Sequence, residues 1–113
     1  MSDQDDQQAV CTRFGAAFLA SPGYQRLAIA FNTLSQIPLN GLRHRPVNDT
    51  CGWYIWAGET FSTEPDFFGT MHVSHVPEFC PTALPYLGLA PGWRFLIAPG
   101  YEDVWYDESL LQV

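Results

Sequence analysis

The chain contains no lysine: Arg13, Arg26, Arg43, Arg45 and Arg94 are its only permanent cations, set against twelve carboxylates for a net charge of −7. A surface this short of positive charge repels polyanions, which argues against DNA or RNA as a direct ligand. Long apolar runs are also missing. The best, around Ala16 to Ala20, is only a few residues long and far short of a membrane span. The start, Met1 to Asp6, is acidic where a secretory signal is basic, so neither export nor a membrane anchor is expected and the expected location is cytoplasmic. Cys11, Cys51 and Cys80 are odd in number, widely spaced and without a C-x-x-C pair, which reads as reduced thiols. No phosphate-binding loop is present: Pro91-Gly92 and Pro99-Gly100 are turn dipeptides, and neither leads into a helix carrying lysine.

What the chain does have is an aromatic second half. Of its 17 aromatic residues, 13 lie between Trp53 and Tyr106. With 113 residues and 47% apolar content there is material for one domain with one core, folding without metals or disulfides. Charge is unevenly placed. Residues 1–45 hold three Asp and four Arg, a net of +1, whereas residues 46–113 hold nine acids and only Arg94, a net of −8. A basic protein would be drawn to that second half.

The expected fold class is α+β, with a short antiparallel sheet packed by N-terminal helices and a proline-kinked central helix. Residues 1–6 read as a flexible acidic leader, 7–45 as a helical part and 46–113 as the sheet-containing part of a single domain. Asp5 or Asp6 would cap a first helix whose buried face is Val10, Phe14 and Phe18, ended by Ser21-Pro22-Gly23. A second helix is expected over Tyr24 to Ser35, with Leu27, Phe31 and Leu34 as its stripe. Arg43-His44-Arg45-Pro46 reads as a loop. Strands are expected near 53–57, 93–98 and 102–107, the last two joined as a hairpin by Pro99-Gly100. Between His72 and Leu87 the spacing is helical but Pro77, Pro81 and Pro85 intrude, so a kinked helix or two short ones should form there.

Several constellations could carry chemistry. His72 and His75, with Cys80 beyond, form the nearest approach to a metal site, but Pro77 interrupts them and the common zinc spacings are absent. A packed or capping histidine is the plainer reading. Cys51 or Cys80 with a nearby histidine lacks any local nucleophile signature and fits inert core thiols. Paired carboxylates for glycoside chemistry would also need a cleft, and a solvated acidic rim explains the same residues. Arg94, alone among nine acids, should pair with carboxylates across the hairpin or stack on Trp105. The stretch Tyr101 to Glu108 alternates acids with aromatic rings. It fits either an edge strand protected by charge or a protein-binding surface in which rings anchor and acids steer.

From Gly52 onward the sequence resembles the Immunity protein 33 family, also called domain of unknown function 2185. The resemblance rests on Gly52 to Glu59, Phe67-Phe68, His72-Val73, His75-Val76, Cys80-Pro81 and Tyr86 to Leu89. It continues through Pro91 to Ala98 and Tyr101 to Trp105, and covers roughly the C-terminal 60 residues. The resemblance implies a non-enzymatic antidote that binds a co-encoded toxin inside a bacterial cell, with no cofactor. Glu102, Asp103, Trp105, Asp107 and Glu108, with Glu59, Glu64 and Asp66, would then be the residues presented to that protein partner. The rival readings are a small metal-binding or hydrolytic enzyme using His72, His75 and Cys80, and an adaptor or oligomerisation module.

Overall fold

The computed structural model describes residues 3–59 and 67–112. Glu64 and Asp66 lie outside that range. Among the described residues six strands form one mixed sheet: β1 (Arg26–Ile29), β2 (Leu39–Arg43), β3 (Thr50–Ala57), β4 (Gly69–His72), β5 (Trp93–Ala98) and β6 (Tyr101–Tyr106). Their order across the sheet is β4-β1-β3-β2-β5-β6. All neighbours are antiparallel except β1 and β3. No helix among the described residues is long and apolar enough to cross a membrane.

The fold class is α+β and strands lie at each of the three expected places, but the sheet is larger than the short antiparallel one expected and is mixed, because β1 joins β3 in parallel. Two expectations about the first half are overturned. Tyr24 to Ser35 is not a helix. It supplies β1, followed by a single 3-10 turn at Phe31–Thr33. Leu27, Phe31 and Leu34 mimic a helical stripe, but Leu27 and Ile29 also alternate, and pairing with β3 on one side and β4 on the other decides for strand. Nor does the chain divide at residue 46. Both β1 and β2 stand inside the same sheet as β3, and Arg43, expected in a loop, is the last residue of β2.

The first helix, α1 (Asp3–Phe14), begins within the stretch expected to be a flexible leader and stops short of Phe18. Gly15 ends it: its φ of +70° is left-handed. The Ala16 amide then reaches back to the Cys11 carbonyl at 2.9 Å, closing the last turn. The proline-rich stretch breaks rather than bends. A short α2 (Val76–Phe79) carries Pro77 in its first turn, and a 3-10 helix (Pro81–Tyr86) opens on Pro81 with Pro85 inside it. A proline at a helix start forfeits no hydrogen bond, which is why these positions accept it.

The two sheet faces are dressed differently. Against one face pack α1 and the Val73–Leu89 stretch, sealing Leu27, Ile29, Trp53, Ile55, Phe95 and Val104 into the main core. Gly41 is part of that fit, since a Cβ there would stand 2.2 Å from the Phe95 ring. The other face holds a smaller cluster of Ala30, Leu42, Trp56 and Leu110, with Phe67 and Phe68 packed against it.

On the sealed face lies Arg43, fully buried and without a carboxylate partner among the described residues. Its guanidinium donates instead to five backbone carbonyls: Cys51 at 2.8 Å, Leu19 at 2.7 Å, Leu87 at 3.3 Å, Leu89 at 2.7 Å and Ala20 at 3.2 Å. Burial pulls its pKa down to about 10, which leaves it charged at neutral pH. One cation thus fastens β2 to β3, to the segment after α1 and to the turn before β5. Such satisfaction by carbonyls is what makes a buried charge tolerable.

Candidate partner-binding surface

Alternation along β6 sorts its residues. Glu102, Val104 and Tyr106 face the helical layer; Tyr101, Asp103 and Trp105 face the other way.

Glu102 is consumed internally. Both its oxygens accept from Arg13, at 3.0 and 2.8 Å, and the Tyr86 hydroxyl donates to it as well. The paired guanidinium holds the Glu102 carboxyl below its ordinary range, with the phenol adding to the effect. Burial, reinforced by the neighbouring carboxylate, pushes the Tyr86 phenol up to about 12. This trio ties α1 to the edge strand, so the carboxylate of Glu102, an exposed residue, is already paired within the chain.

On the open side the strands bring Arg94 opposite Trp105 and Leu96 opposite Asp103. Arg94 donates to Asp107 at 3.2 Å and lies over the Trp105 ring at 5.3 Å, so the ion pair and the stack are both present. Its Nε is buried without a hydrogen-bond partner among the described residues. Asp107 works in two directions. Besides Arg94, it accepts from the Ser109 amide at 3.1 Å and hydroxyl at 2.6 Å, capping the 3-10 helix Glu108–Gln112. Those hydrogen bonds from Ser109, more than Arg94, hold its carboxyl below the usual range.

Asp103 and Glu108 differ from these two. Both are exposed, and neither has a hydrogen bond or ion pair among the described residues. Asp103 stands between Tyr101, 54% exposed, and the half-buried Trp105 on one side of one strand. Tyr101 was missed as an anchor, although its parity with Asp103 and Trp105 was legible. Glu59 is exposed at the far end of β3, several strands away. The eight sequence candidates therefore resolve into a group near the end of β6 (Asp103, Trp105, Asp107 and Glu108), the internally paired Glu102, the distant Glu59, and the two undescribed residues.

The metal candidates do not converge. His72 and His75 are exposed, with ring centroids 6.2 Å apart, while Cys80 is buried and its thiol pushed up by that burial. No group of three or more His, Cys, Asp or Glu able to hold a metal occurs among the described residues. Cys11 and Cys51 are likewise buried free thiols.

No curated protein and no solved structure matches the chain. The model of one family does, and it reaches through the N-terminal half that the motif resemblance did not cover. That match, to the Imm33-like domain over residues 6–107, places the chain in this immunity-protein-like family.

Proposed function

We propose that this protein is a cytoplasmic bacterial antidote that binds a co-encoded basic protein toxin in a stoichiometric complex, with no reaction of its own and no cofactor. The docking surface is the open side of the C-terminal hairpin. The observation that carries this reading is Asp103, an anion without a counter-charge among the described residues, set between Tyr101 and Trp105 on one side of an edge strand. Rings that are half exposed and held by a rigid strand supply binding energy at low entropic loss, while free anions beside them steer a cationic partner.

Arg94, held by Asp107, stacks on the Trp105 ring, and Glu108 extends the negative rim. Such a rim can occupy a toxin cleft built for phosphates. Charge on the edge strand also discourages pairing with a second copy, which weighs against an oligomerisation module. The test is co-purification with the toxin encoded beside this chain. A 1:1 complex in which toxin activity is lost is expected. Persistence of full toxin activity in the presence of excess protein would refute the reading.

A further inference from the structure

Beyond the hairpin face, a cleft of about 430 Å³ opens at the end of the sheet where β5 turns into β6. Leu34, Ile37, Leu39, Phe79, Pro81 and Ile97 wall it. Two of these are conspicuously uncovered: Ile37 is 65% exposed and Phe79 51%. Phe31, itself 40% exposed, meets Phe79 edge-on at 5.7 Å. Exposed apolar side chains scattered singly are ordinary, but three gathered at one concavity mark a docking site.

The charge around the cleft says what docks there. No arginine lines it. Exposed Glu78 immediately precedes Phe79 in α2. Exposed Glu59 follows Gly58, where a Cβ would stand 2.2 Å from the Gln36 side chain, another part of the wall. At the hairpin turn, Ala98 of the cleft wall pairs with Tyr101 of β6.

A second copy of this chain is a poor occupant, because it would bring the same carboxylates. It has few cations to answer them: Arg13, Arg26 and Arg94 are paired with Glu102, Asp49 and Asp107, and Arg43 is buried, which leaves the exposed Arg45, hydrogen-bonded to the Leu111 carbonyl. We infer that the cleft receives a large apolar side chain from a cationic segment of the protein partner, with Glu59 and Glu78 meeting the flanking positive charge. This rests on the reading of the partner as a basic protein and adds an anchor point separate from the hairpin face.

The test needs no toxin, so its failure and that of the antidote reading are distinguishable. A capped hexapeptide with a Leu-Phe pair flanked on each side by two basic residues is titrated into ¹⁵N-labelled protein. Two control peptides replace the Leu-Phe pair by glycines or the basic residues by glutamates. Saturable amide shifts at Ile37, Phe79, Thr82 and Ile97 with the first peptide alone are expected. Phe79→Ser and Ile37→Ser, both at exposed positions, should weaken that binding at least tenfold while leaving the remaining spectrum in place. Equal binding of either control peptide overturns the inference, as does the absence of cleft shifts. Cleft resonances that move with protein concentration alone would assign the site to a second copy and overturn it too.

Discussion

Two arginines divide the molecule. Arg43 lies on the sealed face, surrounded by carbonyls from three separate segments and with no carboxylate partner among the described residues. Arg94 lies on the open face, paired with Asp107, stacked on Trp105 and left with one donor unmet among the described residues. The first holds the fold together in a place no partner reaches. The second props up a surface that is only partly closed. The contrast teaches that in this small acidic chain most of the scarce positive charge is buried or already paired, which leaves selected anions on the outside uncompensated among the described residues.

The largest effect expected from breaking this contrast is at Arg43. Arg43→Met strips donors from several buried carbonyls, each worth about 1–3 kcal/mol when left unmet. Denaturant unfolding should register a loss above about 3 kcal/mol or no folded protein. Arg43→Lys should fall well short of rescue, since an ammonium has three donors and a different reach. A stability close to wild type in Arg43→Met would show that the carbonyl cage is incidental.

Next comes Gly41→Ala, which drives a methyl into the Phe95 ring on the sealed face and should lower stability by about 1–3 kcal/mol. Leu96→Ala, in the half-buried row beside Asp103, should lose less, and thermal melts of the two variants side by side decide it. Equal losses would mean the two faces are packed alike.

The smallest effects belong to the Arg13–Glu102–Tyr86 trio and depend on pH. Glu102 has a depressed folded pKa, so its contribution is present above the unfolded carboxyl value of about 4.3 and is lost as pH falls through the folded pKa. Tyr86 is the opposite case. Its folded pKa is raised to about 12, so its contribution is complete below the unfolded phenol value of about 10 and disappears by about pH 12. Unfolding measured across both limbs should flatten at the acid end in Glu102→Gln and at the alkaline end in Tyr86→Phe. Unaltered slopes would remove the trio from the account.

Much of the second half was legible because its signals are local. Alternation in β5 and β6 and the Pro99-Gly100 turn specify the hairpin, and its parity already placed Asp103 with Trp105. The first half was not legible in the same way. β1 is four residues long, too short for its alternation to outweigh a chance helical spacing, and it is fixed by neighbours distant in sequence. Gly41 and Arg43 look unlike strand residues, yet one makes room for Phe95 and the other answers remote carbonyls. Glu102 was read as free because its partner, Arg13, stands 89 positions away. The cleft escaped notice for the same reason: its walls come from β2, the turn before it, α2 and the β5 end, and nothing in the sequence announces that they meet.

The central claim is that the open side of β6 docks a basic toxin. Stopped-flow binding of the neighbouring toxin to wild type, Asp103→Asn and Trp105→Ala over a range of salt tests it most directly. Association should slow as salt rises, with a shallower slope in Asp103→Asn, while Trp105→Ala should dissociate at least about tenfold faster at a similar association rate. Binding that is insensitive to salt and identical in all three proteins would contradict the account.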